Sequence, residues 1–134
     1  MRIHSEEYEF NTRGEFDVID LTPWLDKVAS RSGIKEGLML IYAGHATGVI
    51  VLNEYEPSLI EDIKEFLRRL TPSDGDYRHP VNAFSHLRSM LLEPSKVIPI
   101  HDGRLGLGTW QRVYWIEAER RPRRRRVEAM IIGE

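Results

Sequence analysis

His79 and His86 lie close together in residues 77–87 and are the side chains of this chain best suited to chemistry. An imidazole titrates near neutral pH, binds borderline metal ions and carries protons. Pro80 disfavours helical backbone at the residue before it and suits a first helical turn, so we predict His79 in the lead-in and His86 inside a helix. Asn82 would share the face of His86. A metal site needs three or four ligands, so a partly buried His86 bonded to the backbone is an equally good interpretation.

The composition bounds the classes of protein to which the chain can belong. Its 134 residues are 41% hydrophobic and 30% charged, as in ordinary globular domains. With no cysteine, disulfides and thiolate chemistry are excluded, and any metal site must use His, Asp or Glu. The net charge of -2 gives no general attraction to nucleic acid. We find neither an apolar stretch of the ~20 residues that a membrane span needs nor a signal peptide, so we expect a cytoplasmic protein.

The first half of the chain alternates strand and helix signals. Residues 2–10 predict a strand that turns at 11–14 into a hairpin with a second strand near Val18. Thr22 is a suitable cap for a helix over 23–32, which Gly33 would end. Residues 37–43 are uniformly apolar and predict a central strand buried on both faces. If residues 45–54 form one strand, the side chains that share a face include His45, Thr47 and Asn53.

The second half predicts further helices and strands around polar loops. Helices are expected over 58–70 and after Pro80, where the apolar stripe would comprise Phe84, Leu87 and Leu91. Strands are expected over 96–100, 113–117 and 127–132, with a tight turn at Asp102 and Gly103. We therefore predict a single α+β domain over 1–134, with a mostly antiparallel sheet and about three helices.

A run of arginines between the last two predicted strands is the strongest electrostatic feature. Only Pro122 interrupts residues 120–126, which are otherwise all arginine. Guanidinium groups in such a hairpin can hold a phosphate or pyrophosphate, and they can equally grip a nucleic-acid backbone. An equally good interpretation is a solvated hairpin whose arginines pair with carboxylates, within the chain or across a subunit interface.

Candidates for acid–base chemistry and for anion binding by the backbone are weaker. Glu54 and Glu117 lie at or near predicted strand ends, where most carboxylates are ordinary surface groups. The glycines of residues 102–109 would let an anion approach the backbone, but the segment lacks the lysine and helix of a P-loop, so a hairpin is favoured.

Four blocks of residues, taken in order, resemble the YjbQ-like family of small proteins, to which secondary thiamine-phosphate synthase activity is attributed. The blocks are His45-x-Thr47 with Asn53-Glu54; Tyr77-x-His79 with Asn82 and Ser85-His86-Leu87; Asp102-Gly103 with Leu107-Gly108-Thr109-Trp110-Gln111; and Glu117 with Pro122-Arg123. The resemblance covers nearly the whole chain. It departs at Ala46, where the family usually has a threonine, and at residues 119–123, which are longer and more basic than the usual segment.

The resemblance implies a YjbQ-like fold, a homotrimer and a polar pocket. His45, His79 and His86 would be its catalytic imidazoles, and Glu54 and Glu117 its acids. The residues that would contact substrate are Thr47, Asn53, Asn82, Thr109, Gln111 and Arg123. The three histidines would form an open set for a divalent metal such as zinc or magnesium, or would act without metal as anion donors and proton carriers.

The resemblance implies a reaction in which a pyrimidine pyrophosphate is joined to a thiazole phosphate with loss of pyrophosphate. Our first hypothesis is therefore an enzyme-like protein that binds a phosphorylated small molecule, with no membrane partner. The second is a non-catalytic module that binds a metabolite or, less favoured, nucleic acid through the arginine hairpin. A structural trimer with a vestigial pocket is the third.

Overall fold

Two antiparallel sheets organise the chain in this computed structural model, which describes residues 1–134. The strands are β1 (Arg2–Asn11), β2 (Val18–Asp20), β3 (Gly37–Tyr42), β4 (Ile50–Asn53), β5 (Ser95–His101), β6 (Arg104–Leu105), β7 (Arg112–Ile116) and β8 (Arg124–Gly133). The helices are α1 (Thr22–Ser32), α2 (Pro57–Leu70) and α3 (Ala83–Leu92). The larger sheet has the order β1-β8-β3-β5-β6 and the smaller β2-β7-β4, which confirms the predicted α+β class.

Strand β7 lies between two hydrophobic cores because its side chains alternate between the two faces of the smaller sheet. Val113 and Trp115 pack into the core between the sheets, which α1 closes. Tyr114 and Ile116 pack into a second core on the opposite face, together with Leu67 of α2. Such burial on both faces fixes the position of the residues that follow β7, beginning with Glu117.

Strand β8 pairs with β1 on one side and with β3 on the other. The predicted hairpin of β1 with β2 is therefore wrong, since β2 pairs with β7 instead. The last strand also begins earlier than predicted, at Arg124, because its backbone pairing with β1 extends to Asn11 opposite Arg124 and Arg125 is buried on the inner face. Arg124 and Arg126 form ion pairs with Glu9 of β1. Half of the arginine run thus belongs to a strand rather than to a loop.

The larger sheet leaves large apolar side chains exposed on its outer face. Met39 and Ile41 of β3 are buried, but Leu38, Leu40 and Tyr42 alternate with them and are between 37% and 51% exposed, so the prediction of burial on both faces is wrong. Neighbouring strands add Ile3, Val97 and Ile132. We call these six residues the apolar outer face.

The segment around His45 is a turn rather than part of a strand. The N–H of Gly48 donates to the carbonyl of His45 over 3.0 Å, and β4 begins only at Ile50. The predicted single strand over 45–54 is therefore wrong. The Cβ that any other residue would have at position 48 would lie 3.2 Å from the side chain of Ala43, which leaves little room in this turn for a larger residue.

The helices differ from prediction mainly at their starts. Thr22 is the first residue of α1, and its hydroxyl bonds to Val113 rather than capping the helix. Helix α3 begins at Ala83, after Pro80, and of its predicted apolar stripe Phe84 is buried while Leu87 and Leu91 are partly exposed. The stop of α1 at Gly33 and the tight Asp102-Gly103 turn are confirmed by their positive φ angles. None of the helices is long and apolar enough to cross a membrane.

Candidate functional site

A fully buried ion pair between Glu117 and Arg125 anchors the site. Arg125 Nε donates to Glu117 Oε1 over 2.8 Å and Nη2 donates to Oε2. The Thr12 hydroxyl also donates to Oε1, and the Glu119 N–H donates to Oε2, each over 2.9 Å. Arg125 Nη1 reaches the Thr47 hydroxyl over 3.1 Å. Because hydrogen bonds engage both oxygens of Glu117, this carboxylate is placed to hold Arg125 rather than to exchange protons with a ligand.

His45 lies half-buried next to this ion pair. Its Nε2 accepts the backbone N–H of Arg126 over 3.1 Å, which places the ring proton on Nδ1. Burial, and then the charge of Arg125, lowers the pKa of His45. The ring is therefore neutral at pH 7, and Nδ1–H is the group with which it can donate to a ligand.

A charged cavity of about 480 Å³ opens beside His45. Its lining comprises Glu7, Glu9, Tyr42, Gly44, His45, Arg124, Arg125, Arg126 and Glu128. Arg124 and Arg126 are largely exposed and pair with carboxylates of β1, at distances of 2.5 to 3.8 Å. Tyr42 belongs both to this charged cavity and to the apolar outer face, so the two surfaces are continuous.

A second group of polar side chains, which we call the histidine cluster, comprises His79, Asn82, Ser85, His86 and Glu119. Asn82 Nδ2 and the Ser85 hydroxyl donate to Glu119 Oε1 over 2.7 and 2.9 Å. The other end of the Asn82 amide, Oδ1, lies 3.1 Å from His79 Nε2. The rings of His79 and His86 meet edge to face, with their centroids 4.9 Å apart. The sequence prediction that Asn82 and His86 act at one place is consistent with this arrangement.

Arg123 and Arg125 connect the charged cavity to the histidine cluster electrostatically. Burial acts to raise the pKa of Glu119, but hydrogen bonds from Asn82 and Ser85, with the charges of the two arginines, lower it overall. The same two arginine charges depress the pKa of His45. The structure thus brings His45, Thr47 and Glu117 together around Arg125 and Arg126, and the histidine cluster together around Glu119.

Four of the predicted site residues lie elsewhere. Asn53 pairs with Arg112 at the start of β7, and Glu54 follows it. Thr109 and Gln111 immediately precede that strand, and Gln111 Oε1 accepts the Gly108 N–H over 2.9 Å. At ~3.3 Å per residue, this end of β7 is roughly 17 Å from Glu117. Within one chain, the structure does not bring these four residues to His45.

A metal site formed by His45, His79 and His86 stays a prediction. No group of three or more His, Asp or Glu side chains in the chain is arranged to hold a metal ion. His79 and His86 do form a pair, whereas His45 contacts Arg126 and the edge of Trp115.

Sequence reasoning missed Arg125, Glu119 and Arg88, which are buried and charged. For Arg125 a signal was present, because the inward positions Val127 and Ala129 continue back to it at the period of a strand. Glu119 and Arg88 left no such signal, since their burial depends on elements that are distant in sequence.

Comparisons with known proteins give a family match over most of the chain and solved structures with the same fold. The model of the family described as "UPF0047 protein YjbQ-like" matches residues 6–134. A UPF0047 protein of Methanothermobacter thermautotrophicus is 34% identical over 137 residues, covering 100% of this chain and 95% of that protein. The crystal structure of a YbjQ-like protein of unknown function from Sulfolobus solfataricus has a TM-score of 0.95 at 31% identity, with 99% of each chain covered. A hypothetical protein of Aeropyrum pernix has a TM-score of 0.91 at 38% identity, covering 97% of this chain and 98% of that one.

Proposed function

This chain belongs to the UPF0047 YjbQ-like family, and we propose that its charged cavity binds a phosphorylated small molecule. The observation that carries the proposal is the wall of the cavity, where Arg124, Arg126 and the neutral His45 converge. Guanidinium groups bind phosphate oxygens in pairs of charge-assisted hydrogen bonds. A volume of about 480 Å³ lies within the range of small-molecule sites.

The ligand would enter by displacing carboxylates. Arg124 and Arg126 now pair with Glu9 in a partly exposed position, where an ion pair contributes little stability. A phosphate can therefore replace Glu9 at small cost, and the Nδ1–H of His45 can donate to a third oxygen. The Glu117–Arg125 pair lies next to the charged cavity. The hydrogen bond from Arg125 to the Thr47 hydroxyl keeps the turn at Thr47 against β8.

The family resemblance implies a reaction that couples a pyrimidine pyrophosphate to a thiazole phosphate. This reaction would use the arginines of the same hairpin. The thiazole ring nitrogen supplies the electron pair of a new bond to the pyrimidine methylene carbon, while the bond between that carbon and the pyrophosphate oxygen breaks and pyrophosphate leaves with its electron pair. Arg123, Arg124 and Arg126 would neutralise the charge that develops on this leaving group. Positioning of the two substrates supplies the rest.

We further propose that the histidines hold a divalent metal, zinc or magnesium. His79 and His86, adjacent to each other and near the carboxylate of Glu119, have donor chemistry that suits zinc better than magnesium. A bound metal would supply Lewis-acid stabilisation of phosphate oxygens. The residues of the chain would still orient the ligand through the arginines.

Calorimetry with pyrophosphate tests the proposal, with and without added zinc or magnesium and alongside elemental analysis of the protein. We expect binding to the wild type, and a loss of about tenfold or more for Arg126→Met, which removes a charged hydrogen bond worth about 1.5–3 kcal/mol. Arg104→Met is the matched control, because Arg104 is an exposed arginine on β6 that does not line the charged cavity. Equal affinities of the two variants would contradict the proposal.

A second candidate is a non-catalytic module that binds nucleic acid or a metabolite through the arginine hairpin, residues 120–126. Arg120, Arg121 and Arg123 are exposed in the connection between β7 and β8, which favours a polyanion. Binding through several phosphate contacts would weaken by orders of magnitude between about 50 and 200 mM salt. No binding of a single-stranded or duplex oligonucleotide at low salt would remove nucleic acid as a partner.

A further inference from the structure

Arg88 of α3 is fully buried and joins three distant parts of the chain. At the end of α2, its Nε donates to Thr71 Oγ1 over 3.0 Å and its Nη2 donates to the Thr71 carbonyl over 2.9 Å. Nη1 donates to the Ala118 carbonyl over 2.9 Å and to Glu15 Oε2 over 2.6 Å. The side chain thus ties α3 to α2, to the segment after β7 and to the loop before β2.

Two aromatic rings pack against the guanidinium group of Arg88. Phe16 and Phe84 lie 4.6 and 4.9 Å from it, measured from the guanidinium carbon to each ring centroid. Phe16 has a φ of 65°, a left-handed conformation that a bulky residue rarely adopts. Such strain persists only where the surroundings impose it. Here the ring of Phe16 lies between the guanidinium groups of Arg68 and Arg88.

Stability alone is a poor explanation for this arginine. Removing a charge from water is costly, and well-packed apolar residues in place of a buried ion pair are often neutral or stabilising. What an arginine adds is a rigid fork that fixes distances in several directions at once. The acceptors of this fork belong to the end of α2, the loop before β2 and the segment after β7. Backbone hydrogen bonds of Phe16 and Asp17 with Glu117 already join the last two, so Arg88 adds contacts from α3 and α2 to them.

Arg88 fixes the distance between α3 and the segment after β7, and the histidine cluster lies between these two parts of the chain. Ser85 lies one helical turn before Arg88 and on the same face of α3. Ser85 bonds the side chain of Glu119, and Arg88 bonds the carbonyl of Ala118, the residue before it. Both ends of this helical turn are therefore hydrogen-bonded to the same segment, the residues that follow β7.

We propose that Arg88 is a positioning residue for the histidine cluster, which holds α3 against Ala118 so that Asn82 and Ser85 reach Glu119. The assignment concerns the site of the proposed function, but it stands on contacts that need no ligand. Its test accordingly has one measurement with ligand and one without.

The test compares Arg88→Lys with Arg112→Met. Lysine keeps the charge but lacks the fork, so it cannot hold Thr71, Ala118 and Glu15 together. Arg112 is a matched control, because it too is an arginine tied to a carboxylate, that of Asp20, but it lies at the opposite end of β7. The measurement without ligand is the NMR signal of the Asn82 side-chain amide, identified by its absence in Asn82→Asp. The measurement with ligand is zinc affinity by calorimetry, because the metal proposed above would bind at His79 and His86.

In Arg88→Lys we expect the Asn82 amide signal to move toward the position of a solvated amide and zinc affinity to fall about tenfold. In Arg112→Met we expect both to stay as in the wild type.

If both variants melt earlier but neither moves the amide signal, Arg88 is only a structural residue and the proposal is wrong. If Arg88→Lys does not fold, Glu15→Ala removes one contact at a partly exposed carboxylate, and the amide signal decides in the same way. If the wild type does not bind zinc, the proposed metal site fails while the amide signal still decides the role of Arg88.

Discussion

Glu117 and Arg125 depend on each other because both are removed from solvent. In Glu117→Gln the guanidinium would stay buried without its counter-charge. Breaking one side of a buried pair costs about 3–5 kcal/mol. We therefore expect a loss of that size in the free energy of unfolding, measured by urea titration.

Glu128→Gln is the matched control for this change. Glu128 lies on the same strand as Arg125, but it is partly exposed and faces the charged cavity. A change within about 0.5 kcal/mol is expected there. If Glu117→Gln were equally mild, the pair would not anchor the site.

At the scale of elements, an ion pair between β1 and α1 makes stability depend on pH. Arg31 in the last turn of α1 donates to both carboxylate oxygens of Glu6 on β1, with its Nη2 2.6 Å from Oε1. Hydrogen bonds from Arg31 first, and then from His4, lower the pKa of Glu6 to about 2. The folded state therefore holds this proton less tightly than the unfolded state does.

The sign of the effect follows from that difference. Stability from Glu6 is fully present above its ordinary value of 4.5 and is lost as pH falls from there toward about 2. Arg31→Met should flatten the decline between pH 5 and 3 in urea titrations. Arg69→Met, which removes an exposed pair within α2, should leave the decline as in the wild type. A decline that Arg31→Met does not alter would rule out the pair as its source.

Elements with local signals were predictable from the sequence. Pro23 and Gly33 bound α1, and the Asp102-Gly103 turn carries its own conformational preference. The failures have long-range causes: β3 is apolar throughout, yet one of its faces is exposed, and the arginines of β8 belong to a strand because their backbone pairs with β1. The same holds for the predicted site. His79, Asn82 and His86 could be predicted together because they are close in sequence, whereas their partner Glu119 could not, because it comes from a distant part of the chain.

At the scale of the whole molecule, we propose that a second copy of the chain covers the apolar outer face. Exposed apolar side chains gathered on one sheet face are typical of a subunit interface. The homotrimer that the family resemblance implies would bury them, and through Tyr42 the contact would extend to the charged cavity.

We expect light scattering to give the mass of three chains for the wild type. Leu38→Glu places a charge on the apolar outer face and should give single chains. Phe66→Glu is the matched control, since Phe66 is a similarly exposed apolar residue of α2. A wild-type mass of one chain would contradict the trimer, and dissociation by Phe66→Glu alone would move the interface to the helices.

The position of β8 between β1 and β3 also has a consequence for synthesis on the ribosome. Its partners are made first, and β1 waits for nearly the whole chain before it finds the strand with which it pairs. Until then the nascent chain holds unpaired strand edges, including the apolar strand β3. Pairing between residues so far apart in sequence is slow and leaves such edges open to aggregation. We therefore expect chaperones to protect the nascent chain from aggregation until β8 emerges from the ribosome.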